Sequence, residues 1–331
     1  MTIMDPSPNS VLVYVGGDLV GDAVMKLPFV RALRHAWPNA RITWCAGKYR
    51  SAFAAELAPL VTGLIDEVIE EAGFDRPLLL LLGRPLEGRH FDLVIDTQRG
   101  VPATLLLHRI RHRLLVSGAA DFHLSGAKPQ KGYRRPAAMV RQMLDLLEIA
   151  SGKTAQPDAP LVIDEAAKSR AEQSLPSGTA YLGLAPGAGG RQKCWPLEKF
   201  IELALRQQSQ ERVPVFILGP GEGDWVNRLR DAVPGALFPT LDEQGNPTPS
   251  IAQTIALGQR LKVAVANDAG AGHILAASDA PLVSLFGPTP SAKFAPAAKR
   301  RELIEAQTYG SSEMSAIPVE DVAVAVDRLA G

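Results

Sequence analysis

Two aspartates four residues apart, in "GGDLVGD" (16–22), follow an apolar run, "VLVYV" (11–15), that reads as a first strand. Glycine-rich turns in that place usually cradle phosphate on backbone N–H groups. This turn is not built for it. A dinucleotide turn needs G-x-G-x-x-G, which Gly16, Gly17 and Gly21 do not supply. A P-loop needs Lys and Ser/Thr where Asp22 and Ala23 stand. What the turn can present is Asp22 at a helix start, on the carboxyl edge of a parallel sheet, where ligands bind in such folds. Two roles stay open for it. Asp is a favoured N-cap, and it is a base whose strength a capping bond would reduce. Asp18 reads as a loop residue.

Three later stretches fall after strands or at helix starts, where an anion would sit. "APGAGGRQKCWP" (185–196) offers exposed backbone amides and the point charge of Lys193. "LGPGEGD" (218–224) carries Glu222 and Asp224, either suited to ribose hydroxyls or to capping a helix. "NDAGAGHILAA" (267–277) sets Asp268 and His273 around glycines that open a small-residue helix, a ready anion site. Each also has a plain structural reading: a flexible turn, a cap, a helical histidine.

The elements that must position these groups alternate, strand then helix, from end to end. A polar linker, "SGKTAQPDAP" (151–160), separates two such runs. The expected organisation is therefore α/β, with residues 1–155 and 156–331 as two Rossmann-like domains whose parallel sheets face a cleft. "SAFAAELAPL" (51–60) reads as a helix within the first, and a helix starts at about Asp22.

Composition narrows the class. Hydrophobic residues make up 46% of the chain and charged residues 21%, as in ordinary soluble proteins. Net charge is zero, against a general nucleic-acid binder. Cys45 and Cys194 follow no metal or disulfide spacing, and the start of the chain lacks the layout of a signal peptide, so a reducing cytoplasmic setting is expected. The strongest apolar run, "LLLLL" (78–82), is too short to span a bilayer. One tract is unbalanced: Arg99–Arg141 holds nine basic side chains and one acid, Asp121.

In order, "GDAVMKLPFVRAL", "FDLVIDTQ", "APGAGGRQKCWPLEKF", "NDAGAGHILAA", "LFGPT" and the final "PVEDV" resemble glycosyltransferase family 9, the ADP-heptose:lipopolysaccharide heptosyltransferases. The resemblance covers nearly the whole chain and implies a GT-B fold, with acceptor bound mainly by the first domain and nucleotide sugar by the second. It makes Asp22 the general base. It places Ala188, Gly189, Lys193, Glu222, Asp268, Ala269, Gly270 and His273 on the donor, with Asp224 competing with Glu222 for the ribose. Gly21, Arg99, Lys128, Lys131 and Arg134 fall on the acceptor side.

The implied reaction is inverting and metal-independent, with no resident cofactor. An ADP-sugar donates a heptose to a lipopolysaccharide inner-core acceptor. The chain departs from the family in having Ala269 where Thr or Ser is usual, and Ala188 and Gly189 where hydroxyls are common. "DEQGNPTPS" (242–250) falls near the expected adenine pocket. The basic tract, with Arg109, Arg111, Arg113 and Arg135 beside the residues above, suits an anionic lipid-linked acceptor or the inner face of the inner membrane. The alternatives are a GT-B transferase with another nucleotide sugar or acceptor, and a non-catalytic sugar-nucleotide binding module. A Rossmann dehydrogenase fails on the fingerprint.

Overall fold

Strands β1 (Ser10–Val15), β2 (Arg41–Ala46), β3 (Glu67–Ile69), β4 (His90–Asp96) and β5 (Arg111–Ser117) form one parallel sheet in the order β3-β2-β1-β4-β5. The central strands β1, β2 and β4 are largely buried apolar runs, as strands covered on both faces must be, whereas the edge strand β3 is three half-buried residues. The computed structural model describes residues 7–74, 85–248 and 250–331, so the "LLLLL" run and Pro249 lie outside the described residues. A second parallel sheet, ordered β10-β9-β8-β6-β7, is built from β6 (Ala180–Ala185), β7 (Arg212–Phe216), β8 (Val263–Asn267), β9 (Leu282–Phe286) and β10 (Arg301–Glu305).

The chain divides into two compact units, Met1–Val162 and Ile163–Gly331. The division falls a few residues beyond the expected 155/156 because the linker's end is tied to the first unit. Ala159 O accepts from Arg31 Nε at 2.7 Å, and Val162 N donates to Leu60 O at 3.2 Å.

In the first unit the side chains of β1 alternate between two cores. Val13 lies beside Trp44 in register, and Trp44 packs against Phe29 of helix α1 (Val20–Ala36) and edge-on to Phe53. Leu12 and Tyr14 enter the opposite core with Cys45, Val94, Leu106 of α2 (Val101–Leu107), and Leu115. Helix α3 (Met139–Ser151) packs beside α1 and ends on Gly152 in the left-handed conformation, φ 70°. The segment 51–60, expected as a helix, forms instead two short 3-10 turns, Ala52–Ala54 and Pro59–Val61. Ser51 is drawn onto Asp18, and the backbone leaves helical space at Ala55, φ −128° and ψ −103°.

In the second unit Leu182, Val263 and Leu184, Val265 stand side by side on one sheet face, under Phe200 and Leu203 of α5 (Leu197–Gln208) and Val322 and Val326 of α10 (Val319–Ala330). The apolar spacing of α10, Val319, Val322, Ala323, Val326, Leu329, is that of a helix burying one stripe. The other helices of this unit are α4 (Glu165–Ser174), α6 (Val226–Ala232), α7 (Ile251–Gly258), α8 (Gly270–Ala277) and the single turn α9 (Ser291–Phe294). Among the described residues no helix is long and apolar enough to cross a membrane.

Both sheet orders contain a point where consecutive connections run in opposite directions: between β1 and β4 in the first, between β6 and β8 in the second. Crevices at the carboxyl ends of such strands are where open α/β sheets bind ligands. The loops that leave those four strands carry Asp18, Arg99, Ala188, Gly189, Lys193, Asp268 and Ala269, whereas Glu222 and Asp224 follow β7 and Lys128, Lys131 and Arg134 follow β5.

Candidate active site

The loop after β1 is fixed by a buried carboxylate, and it is not the one expected. Asp18 is 3% exposed. It accepts hydrogen bonds from Trp44 Nε1 at 2.8 Å and Ser51 Oγ at 3.0 Å, and it pairs with the buried ammonium of Lys26. Its own N–H donates to Arg50 O, and its carbonyl accepts from Ala52 N. Burial lowers the Lys26 pKa to about 8. Reading Asp18 as a plain loop residue is therefore corrected: it is the anchor of the loop. Its partners come from α1, from β2 and from the turn after β2, none of which is adjacent in sequence.

Asp22 has the opposite character. Helix α1 begins two residues earlier than expected, with Leu19 at the N-cap and no side-chain cap. Asp22 thus sits in the first turn, exposed, and holds no capping bond. The capping role left open by the sequence is not taken up. The carboxylate faces a cavity of about 640 Å3 that is also lined by Gly16, Asp18, Tyr49, Arg50, Glu70 and Gln98. Gln98 arrives from the loop after β4. Its side chain comes close enough to Gly16 that a Cβ there would lie 3.0 Å from Gln98 Oε1. Both sides of the first crevice therefore meet at this cavity.

The loop after β4 is held from below by Asp96, fully buried. It accepts from Thr104 Oγ1 at 2.6 Å, Ser117 Oγ at 2.7 Å and Gln98 N at 2.9 Å. Burial raises its pKa, opposed by those hydrogen bonds. Arg99 follows with φ 68°, an uncommon conformation for a residue with a side chain, and is exposed beside Gln98.

The other expected acceptor-side residues are not gathered here. Gly21 is exposed at the start of α1, with open space where a Cβ would be. Lys128 and Lys131 line a different cavity, of about 490 Å3, with Tyr133, Asp145 and Lys153, and the two cavities share no residue. Arg134 is exposed and lines neither. Within the basic tract, Arg113 pairs with Asp92 at 3.6 Å, and Arg135 donates to Gly118 O at 2.9 Å.

In the second unit one ion pair bridges the loops after β6 and β8. Lys193 Nζ lies 3.0 Å from Asp268 Oδ2, and Thr289 Oγ1 donates to the same oxygen. Asn267, just before, locks the two loops: its Nδ2 donates to Pro186 O at 2.7 Å, and its Oδ1 accepts from Trp195 N at 3.1 Å. Neither Thr289 nor Asn267 was identified from sequence. Thr289 belongs to the "LFGPT" stretch, which gave no sign of contacting the aspartate.

Helix α8 starts at Gly270 behind Ala269, whose side chain offers no cap. The first-turn N–H groups are thus without a side-chain acceptor, as an anion site requires. His273, partly buried in that first turn, has its pKa lowered by burial, with the charge of Asp268 pulling the other way. Ala188 and Gly189 flank the loop, Gly189 with open space around its Cα.

Glu222 and Asp224 are separated by the geometry. The Glu222 carboxylate accepts from Gly219 N and lies over Gly187, where a Cβ would come within 2.4 Å of its Cδ. It therefore adjoins the Ala188–Gly189 turn. Asp224 is exposed and paired with Arg191 at 3.0 Å, whose guanidinium lies 4.2 Å from the centre of the Trp225 ring. Cys194, beside Lys193, is partly buried, and burial raises its thiol pKa, so it stays protonated.

The sequence profile of glycosyltransferase family 9 (heptosyltransferase) matches residues 79–320. The lipopolysaccharide heptosyltransferase 2 of Salmonella typhimurium is 25% identical over 291 residues, 84% of this chain and 83% of that protein. The structure of a family 9 glycosyl transferase from Veillonella parvula superposes with a TM-score of 0.72 at 18% identity, covering 99% of both chains. The ADP-heptose lipopolysaccharide heptosyltransferase II of Escherichia coli superposes at 0.62 and 23%, over 97% of this chain and 98% of that one.

Proposed function

The chain belongs to glycosyltransferase family 9 (heptosyltransferase) and has its GT-B fold; from that premise we propose that it transfers a heptose from an ADP-sugar to an anionic lipopolysaccharide inner-core acceptor, with inversion and without a metal ion. The observation that carries the reading is the division of labour between the units. The first offers an exposed, unencumbered carboxylate, Asp22, on a cavity large enough for a sugar. The second offers a lysine and an uncapped helix start, the groups that receive a diphosphate.

In this mechanism Asp22 accepts the proton of the acceptor hydroxyl as its oxygen attacks the anomeric carbon. The bond from that carbon to the diphosphate oxygen breaks on the opposite side, and its electron pair leaves with the nucleotide. The charge that develops there meets Lys193 and the first-turn amides of α8, donors already in place. Asp268 keeps Lys193 at the site, and Glu222 takes the ribose hydroxyls next to the Ala188–Gly189 turn. Gly270 lets the helix start approach the phosphates. Arg99 and the outlying Lys128, Lys131 and Arg134 serve the anionic acceptor or the membrane surface that carries it.

The deciding experiment incubates the protein with ADP-heptose or other nucleotide sugars and a lipid A–Kdo acceptor, with and without a chelator. Transfer from ADP-heptose, undiminished by the chelator, is expected. Transfer only from another nucleotide sugar would overturn the donor assignment, and binding without transfer from any donor would overturn the enzymatic reading of this site.

A further inference from the structure

We propose that Leu19 and Tyr49 form an apolar subsite beside Asp22 that takes the C–H face of a saturated sugar ring of the acceptor. The proposal rests on the acceptor assignment above and deepens it. The cavity that holds Asp22 is lined by two of the most exposed large apolar side chains among the described residues, Leu19 at 82% and Tyr49 at 60%.

Leu19 breaks two local rules at once. It occupies the N-cap of α1, where Ser, Thr, Asp or Asn would satisfy a helix N–H, and it offers no cap. It also leaves nearly its whole side chain in solvent, so it gains no burial in exchange. Local choices that cost stability without a packing return concentrate at functional sites.

The backbone and Cβ of Tyr49 are held against the same loop. Its N–H donates to Gly16 O at 3.0 Å. Its Cβ would lie 2.4 Å from any Cβ at position 17, where the backbone has φ 150°, so only glycine admits this approach. The Lys48 ammonium lies 4.8 Å from the ring centre. Asp18 fixes the other strand of the turn through Arg50 O and Ser51 Oγ. The Tyr49 backbone and Cβ are therefore fixed beside the exposed Leu19 side chain on the wall of a cavity whose polar lining includes Asp22, Arg50, Ser51, Glu56, Glu70 and Gln98.

That combination fits one class of ligand. A sugar ring presents an apolar C–H face and a polar rim, matching an aromatic wall with a few placed polar groups. A ring seated there would offer its hydroxyls to Asp22.

The test titrates the full chain with deacylated inner-core oligosaccharides, and in a separate arm with anionic phospholipid vesicles. Variants are Tyr49→Ala, Tyr49→Phe and Leu19→Ser. Tyr49→Ala is expected to weaken oligosaccharide binding and raise the acceptor KM about 3- to 10-fold, with donor KM unchanged. Tyr49→Phe keeps the wild-type values. Leu19→Ser supplies a better cap, so its Tm rises while its oligosaccharide affinity falls, a pairing that a purely structural role would not give.

Unchanged binding by Tyr49→Ala overturns the subsite. So does a Tyr49→Phe variant as weak as Tyr49→Ala, because the contact would then be the hydroxyl's. Loss of vesicle binding with oligosaccharide binding intact would overturn it in favour of a membrane contact. A wild-type chain that binds no oligosaccharide overturns the acceptor assignment together with the subsite, whereas wild-type binding that the variants share overturns the subsite alone.

Discussion

Lys193 Nζ lies 3.0 Å from Asp268 Oδ2, and this pair ties together the two loops that flank the crevice of the second sheet. The lysine thus has its position set before any ligand arrives. A charge-assisted bond to a phosphate is worth about 1.5–3 kcal/mol. Lys193→Met is accordingly expected to weaken ADP binding about 10- to 100-fold by calorimetry. Thr289→Val, which removes the second donor to Asp268, should weaken it by a smaller factor, with Thr289→Ser restoring it. A Lys193→Met protein that binds ADP as well as wild type would remove the lysine from the donor site.

His273 gives a pH test of the same site. Burial holds its pKa below the ordinary histidine value, so the folded chain carries fewer protons there than the unfolded chain. Its contribution to stability therefore rises as pH increases through the region below and up to 6.5, and falls on acidification. A diphosphate at the start of α8 would favour the protonated ring, so binding should take up a proton. ADP affinity is expected to increase as pH drops from 7 toward the His273 pKa, and the ring's NMR titration midpoint should move up when ADP is added. A midpoint unmoved by ADP would separate His273 from the phosphates.

What the sequence made legible follows from where each signal resides. Strands such as "VLVYV" and "KVAVAND" are apolar runs bounded by Gly, Pro or Asp, and their alternation with helices specifies parallel sheets without any long-range information. The turns after β1, β6 and β8 were placed for the same reason. The roles of the two acids in "GGDLVGD" were not, because burial depends on partners distant in sequence: Asp18 is held by Trp44 and Ser51, which no local spacing connects to it. Thr289 is likewise 21 residues from Asp268. Lys128 and Lys131 share a charged tract with Arg99, yet they line a cavity with no residue in common with the one at Asp22, because charge composition does not record which way a loop folds. The helix expected over 51–60 breaks where the backbone leaves helical space at Ala55, φ −128° and ψ −103°, which the apolar spacing does not mark.

The Asp18 anchor yields a stability prediction. Removing one partner of a buried ion pair leaves the other charge unpaired, at a cost of about 3–5 kcal/mol. Asp18→Ala strands the Lys26 ammonium and two further donors, so it should destabilise the chain by that order in urea unfolding. Lys26→Met leaves Asp18 with Trp44 and Ser51 and should cost less. The double variant Asp18→Ala, Lys26→Met should cost less than the sum of the two single losses, since no buried charge remains. Equal and additive losses would mean that the pair contributes nothing as a pair.

Asp22→Asn separates chemistry from folding more cleanly than any other substitution here. The carboxylate is exposed, caps nothing and takes no partner among the described residues, so its replacement by the isosteric amide should leave Tm essentially unchanged. A general base typically contributes about 10²- to 10⁴-fold to the rate, and an amide cannot fill that role. The expected result is a fall in kcat of that order, with ADP affinity intact because the donor groups belong to the other unit. The anchored loop sharpens the expectation, since Asp18 holds the turn in place whether residue 22 is charged or neutral. Wild-type kcat in Asp22→Asn would exclude Asp22 as the base. A parallel loss of Tm and kcat would instead assign it a structural role that its exposure argues against.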